Sequence, residues 1–152
     1  GATGPTGPTV TSINLNANSL GNELTLPAGG TITFINPTND ITTGNIQYNH
    51  LTGIITLAAN HMYFITFTSD VQVPSNQIKN IQLMMNNTVN VANSISNTGT
   101  LNPNPNGDPY FSISGSTIIN TGLTPATVNL INPTTNNTTT FGNRTLDIIQ
   151  LD

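Results

Sequence analysis

Two imidazoles, His50 and His61, stand eleven positions apart and flank an apolar segment that opens at Thr52-Gly53. Brought together across a hairpin they could ligate a transition metal, but a third ligand would have to come from Asp40, Asp70 or another chain, and no spacing supplies it. The six carboxylates, Glu23, Asp40, Asp70, Asp108, Asp147 and Asp152, are spread along the chain, with neither a Gly-x-Ser-x-Gly elbow nor a histidine-based triad pattern. We therefore expect no catalytic residues, no metal centre, no cofactor and no enzymatic role. Asp108, beside Asn106 and Gly107, is the best local oxygen cluster for calcium, yet Asn-Gly-Asp-Pro is also an ordinary turn, the reading preferred here. Asn-x-Thr at Asn86, Asn136, Asn137 and Asn143 has the form of a glycan acceptor, which a chain this rich in Asn and Thr produces by chance.

Composition narrows the partners. The chain has two cations, Lys79 and Arg144, against six carboxylates, a formal net charge of -4. Phosphate backbones are bound by clustered Lys and Arg that release counterions, so nucleic acid is excluded as a natural partner, and a polybasic membrane contact fails for the same reason. No run approaches the roughly 18 apolar residues of a membrane span, so membrane insertion is not expected. With no cysteine there are no disulfides and no thiolate zinc sites. The remaining surface chemistry is that of amides and hydroxyls. It would suit sugar recognition, and would equally keep a crowded surface soluble and unreactive.

The elements that must position these groups are strands. Apolar residues alternate in short bursts between turn residues, a period of two that implies an all-β fold. Leu24 and Leu26 lead through Pro27-Ala28-Gly29-Gly30 into a strand over Thr31–Ile35. Ile46 and Tyr48, then Ile54–Leu57, then Met62–Phe67 continuing towards Val73, follow in order. Ile78–Met85 fits either period; a strand is favoured because its interior lacks a helix-starting cap followed by good helix formers, and Asn86-Asn87 reads as a turn into Val89 and Val91. Pro103, Pro105 and Asn106-Gly107 make Leu101–Pro109 a loop. Strands at Tyr110–Ile113, Thr117–Ile119, Thr127–Ile131 and Thr145–Leu151 complete about ten, the pattern of a β-sandwich or jelly roll. Phe34-Ile35-Asn36-Pro37-Thr38 and Leu130-Ile131-Asn132-Pro133-Thr134 are near-copies, which we read as shared strand-ending chemistry. The last strand is apolar on both faces. Leu146 and Ile148 alternate with Ile149 and Leu151, and Leu146, Ile148 and Leu151 suggest either a subunit interface or a fully internal strand.

Gly1-Ala2-Thr3-Gly4-Pro5-Thr6-Gly7-Pro8-Thr9 are three Gly-X-Y triplets, a period that stops at Val10. A collagen triple helix needs glycine at every third position because nothing larger fits its axis, and it needs three chains. We expect residues 1–9 to be the end of a collagen-like stalk, residues 10–152 to be one globular head, the assembly to be a homotrimer, and the chain to be the carboxy-terminal piece of a longer protein.

The run Thr52-Gly53-Ile54-Ile55-Thr56-Leu57-Ala58-Ala59-Asn60-His61-Met62-Tyr63-Phe64-Ile65-Thr66-Phe67 resembles the central signature of tumour-necrosis-factor-like and complement-type globular heads. That signature is a Thr-Gly turn, an apolar strand, a corner, and a strand with alternating aromatics. Matching positions are Thr52, Gly53, Ile55, Tyr63, Ile65 and Phe67, which the resemblance places in a jelly-roll core. His61 stands where the family usually has glycine, which bears on the corner because histidine tolerates positive φ less readily. The ending Leu146–Leu151 is similar to the last strand of bacterial members, and a head placed after collagen triplets resembles the collagen-like glycoproteins of Bacillus spore surfaces. The resemblance implies a ten-stranded jelly roll, a tight threefold trimer, a head that sets stalk register, and O-glycosylation at Thr3, Thr6 and Thr9. It also implies an extracellular place on a spore surface (exosporium) or appendage. The function expected is structural trimerisation and display; the alternative is a glycan- or receptor-binding adhesin head, including a phage fibre tip.

Overall fold

Alternation in the sequence becomes alternation of burial. Along Met62–Gln72, Tyr63, Ile65, Phe67, Ser69 and Val71 point inward while the residues between them face out. The structure is a computed structural model that describes residues 13–88, 95–97, 107 and 109–152, together with Gly1 and Gly4. Among these residues there are eleven strands and no helix: β1 (Asn14–Ser19), β2 (Leu24–Leu26), β3 (Ile41–Thr43), β4 (Ile46–Tyr48), β5 (Ile55–Leu57), β6 (Met62–Gln72), β7 (Asn80–Met85), β8 (Ile95–Asn97), β9 (Tyr110–Asn120), β10 (Ala126–Ile131) and β11 (Thr139–Gln150).

They form two antiparallel sheets packed face to face. One runs β1-β11-β6-β9, with β2 also paired to β11; the other runs β3-β4-β5-β10-β7-β8. β1 lies along Arg144 to Ile149 and β2 along Thr139 to Phe141, so two short strands share one edge of β11, separated by a bulge between Phe141 and Arg144. The inner faces meet in one core that includes Leu15, Ile32, Phe34, Tyr48, Leu57, Phe67, Ile81, Leu83, Phe141, Leu146 and Ile148. Burying each such side chain stabilises the fold by about 1.5–3 kcal/mol.

Several expectations are corrected. Thr31–Ile35 is an extended segment rather than a strand. It makes one isolated bridge, Thr31 to Ile131, and Asn36 just after it makes another, to Asn18; its other polar contacts are with side chains, so no ladder forms. The two strands expected at Tyr110–Ile113 and Thr117–Ile119 are the single β9, paired with β6 over its whole length. Gly115, at its middle, lies under Phe67, where an added Cβ would come within 2.5 Å of the ring. The glycine is therefore a close approach, not a break. β11 begins at Thr139, six residues before the expected start, and β1, β3 and β8 have no counterpart among the expected strands. In β1 only Leu15, Ala17 and Ser19 turn inward, too small and polar a set to announce a strand.

Ile78–Met85 resolves as strand from Asn80, with Ile81 and Leu83 in the core. Asn86 and Asn87 both take positive φ, 50° and 59°, and Met85 and Thr88 exchange backbone hydrogen bonds across them, a two-residue hairpin turn. Val89, Val91 and Leu101–Asn106 lie outside the described residues.

The two near-copies do different work. Asn36 pairs with Asn18 at an exposed edge. Asn132 is fully buried; its amide donates to the carbonyls of Leu26, Pro27 and Asn137, and its oxygen accepts from Asn136 at 2.7 Å. Arg144 is only 2% exposed and uses backbone rather than a carboxylate. Its Nε donates to Thr33 O at 2.9 Å, and its Nη1 donates to Asn22 O at 2.8 Å and Gly142 O at 2.9 Å. Burial lowers its pKa. One side chain thus ties the β1–β2 loop, the 31–35 segment and the β11 bulge together.

Candidate functional site

The signature residues are structural. Ile55, Tyr63, Ile65 and Phe67 are buried in the core. Thr52 accepts from the Ile54 N–H at 3.3 Å, and Gly53, at φ 71°, would place a Cβ 2.7 Å from the Ile32 carbonyl. The turn that they close is held by Asn49, whose side-chain oxygen accepts from the N–H groups of Leu51 and Thr52. At the following corner the positive φ falls on Asn60, at 64°, and not on His61. Asparagine tolerates that conformation, and its N–H donates to the Gly122 carbonyl at 2.6 Å. The strained position thus falls one residue before His61, on a side chain that tolerates it.

The two histidines go to separate partners. His50 Nδ1 lies 2.7 Å from Asp40 Oδ1, and His61 Nδ1 lies 3.1 Å from Asp152 Oδ1, with Asn45 and Gln150 around the His61 ring. Hydrogen bonds from the His50 side chain and backbone hold the Asp40 carboxyl below its ordinary range. Among the described residues no three His, Cys, Asp or Glu side chains converge on a common point, and neither ring bonds a serine or threonine hydroxyl.

Outer surfaces carry the remaining chemistry. On β11, Leu146 and Ile148 face the core and are completely buried by their own chain, so they cannot be contact residues of a folded protomer. Their neighbours Ile149 and Leu151 face out, 42% and 46% exposed. Register places Ile149 opposite Phe64 and Phe64 opposite Ile118, itself 56% exposed. An apolar row therefore crosses β11, β6 and β9 on the outer face of the five-stranded sheet, with Met62 and Leu151 at its end. A shallow groove of about 450 Å³ beside it is lined by Leu15, Thr66, Asp147 and Ile149. The next rows along the face turn polar. Thr66 stands between Asp147 and Ser116, and Thr68 between Thr145 and Ser114.

At the far end of the same face Tyr110, Glu23, Asp70 and Asn143 surround a pocket of about 500 Å³. The Tyr110 hydroxyl donates to Glu23 and the Ser112 hydroxyl to Asp70. The hydrogen bond to Glu23, then partial burial and the two carboxylate charges, push the Tyr110 pKa up to about 12. A second groove, on the six-stranded sheet, is lined by Asp40, Thr42, Gln47, Asn49, Ile54 and Thr56.

Asp108, Thr3, Thr6 and Thr9 lie outside the described residues. Of the Asn-x-Thr positions, Asn136 is buried and bonded to Asn80 and Asn132, which removes it as a glycan acceptor in the folded chain; Asn86, Asn137 and Asn143 are exposed. The apolar row escaped the sequence reading because Phe64 and Ile118 lie in strands whose other face is equally apolar. No described helix is long and apolar enough to cross a membrane.

No protein-family model and no curated protein matches this sequence. Solved structures do. The globular domain of zebrafish complement 1qA superposes with a TM-score of 0.63 at 12% identity, over 91% of this chain and 96% of that one. The Eiger TNF from S. frugiperda gives a TM-score of 0.64 at 9% identity, over 91% and 93%. A CBM35 module from Cellvibrio japonicus Abf62 fits more loosely, with a TM-score of 0.40 at 13% identity over 90% and 92%. At such identities the likeness is one of fold: the chain is an all-β jelly roll of the kind seen in complement C1q and TNF domains.

Proposed function

We propose that this chain is the trimerising head of a collagen-like filament, displayed outside the cell on a bacterial spore surface or appendage, where it sets the register of the stalk. The observation that carries the reading is the outward row Ile149–Phe64–Ile118. Monomeric domains seldom leave such a patch in water unless it is a contact surface. Its position supports the stalk as well. Asn14 pairs with Ile149, and Gln150 N–H donates to the Ile13 carbonyl, so the chain arriving from the Gly-X-Y triplets enters the fold beside the apolar end. Three chains held at that end would start a triple helix in register.

The energetics are adequate. Ile118, Ile149 and Leu151 each leave about half of a side chain to be covered, which contributes about 1 kcal/mol apiece, in every protomer. Sedimentation equilibrium of the chain is expected to give three times its 16.0 kDa mass. Ile118→Asp, which puts a charge into the row, is expected to give a folded monomer. A native chain that stays monomeric at micromolar concentration sinks the proposal. The spore location is checked by labelling intact spores with antibody to the head; the reading requires surface label. The alternative role, recognition, would fall to the outer face of the other sheet.

A further inference from the structure

Many outward polar groups of the five-stranded sheet satisfy one another: the hydroxyls of Thr25 and Thr140 lie 2.8 Å apart, those of Thr68 and Thr145 2.7 Å, and the Asn16 amide donates to Asp147 at 2.5 Å, while Thr66 and Ser116 face out beside them. On the six-stranded sheet, register sets Thr42 opposite Gln47, Gln47 opposite Thr56, and Thr56 opposite Thr127. All four face out, and among the described residues none of them spends its side chain on an internal hydrogen bond. Neighbouring strands are about 4.8 Å apart, so the row spans roughly 14 Å across β3, β4, β5 and β10.

Part of this row lines the groove of about 450 Å³ that also holds Asp40, Asn49 and Ile54. Asp40 is fixed there by His50, whose backbone N–H at 2.9 Å and Nδ1 at 2.7 Å both meet Oδ1, leaving Oδ2 uncommitted. Ile54, 37% exposed, gives the groove an apolar patch. Charge then narrows the ligand. Both cations of the chain, Lys79 and Arg144, are 2% exposed, so neither can meet an anion in the groove.

We propose that this groove binds a neutral oligosaccharide laid across β3, β4 and β5. A sugar ring presents hydroxyls at its rim and C–H groups on its face, which matches this lining. Gln47 both donates and accepts, Thr42 and Thr56 do either, Asp40 accepts from ligand hydroxyls, and Ile54 packs on the C–H face. Phosphorylated, sulfated and sialylated ligands find no lysine or arginine and meet the Asp40 carboxylate. The groove belongs to the sheet opposite the apolar row, so it stays open in one chain or three. The inference gives the alternative recognition role its site, and it stands or falls separately from assembly.

The test is an array of immobilised neutral, sialylated and sulfated oligosaccharides probed with the whole 152-residue chain, followed by amide NMR titration with the best neutral hit. Binding to neutral members is expected, with shifts confined to β3–β5. Gln47→Ala combined with Thr56→Val should weaken it at least about tenfold, as expected for lost hydrogen bonds. Ser116→Ala, on the opposite sheet, should leave it unchanged. Circular dichroism and sedimentation of the same samples separate a binding loss from a folding or assembly loss. No neutral hit at millimolar concentration, hits only among anionic members, or binding indifferent to the double variant would each overturn the proposal.

Discussion

Gly53→Ala tests the corner that joins the signature to the groove. Gly53 has φ 71°, where an L-residue costs about 1–2 kcal/mol. Its Cβ would also stand 2.7 Å from the Ile32 carbonyl oxygen and 3.1 Å from Thr31 Cγ2. The obstacle is backbone, and Ile32 is pinned by its N–H bond to Leu130 O at 2.8 Å, so relief requires the segment to move. Overpacking of that kind adds about 1–3 kcal/mol, which brings the total to about 2–5 kcal/mol, a large share of a typical stability of about 5–15 kcal/mol. Gly122 supplies the control. It also has positive φ, 63°, but nothing within 4 Å of an added Cβ, so Gly122→Ala should lose only the backbone part. Urea unfolding of both variants at one protein concentration measures the difference, since the stability of an oligomer depends on concentration. If Gly53→Ala lies within about 0.5 kcal/mol of Gly122→Ala, the contact with Ile32 is not what demands glycine, and the reasoning fails. Because Thr52 and Ile54 line the groove, saccharide binding should weaken along with stability.

Arg144→Met leaves the carbonyls of Thr33, Asn22 and Gly142 without their donor. Buried acceptors left unpaired cost about 1–3 kcal/mol, so chemical denaturation should show a loss of about 2–4 kcal/mol, with Arg144→Lys recovering little because an ammonium cannot reproduce the fork. Tyr110 should ionise near pH 12, read from tyrosinate absorbance, and Glu23→Gln should bring it back towards 10. The sign follows from a folded pKa above the unfolded one. The Tyr110–Glu23 bond contributes fully below about pH 10 and is lost as pH rises towards 12. An unchanged Tyr110 titration in Glu23→Gln would refute the pairing.

Much of the fold was legible because a period of two survives tertiary context. Tyr63, Ile65 and Phe67, like Ile81 and Leu83, are large enough to mark a strand and its inner face from the chain alone. β1 was not legible, since Leu15, Ala17 and Ser19 are too small and polar a set to mark a strand, and what makes one of them is the pairing with β11. The 31–35 segment misled in the opposite sense. Its alternation is real, and Ile32 and Phe34 are buried, but alternation reports a wet side and a dry side, not a ladder partner.

By itself the sequence determined the fold class, because the spacing of apolar residues implies a sandwich. Eight charged side chains among 152 leave little to hold a phosphate backbone, and the glycine triplets carry only the expectation of three chains. It also paired residues by face, with Leu146 and Ile148 on one side of β11 and Ile149 and Leu151 on the other. Only the tertiary structure decided which side was the core. A strand apolar on both faces satisfies the period equally in either orientation, and the choice is made by what the opposing sheet brings against it. The same physics sets the grooves. The outward row Thr42, Gln47, Thr56 and Thr127 comes from four strands spread over 86 residues, and only sheet register brings those side chains side by side.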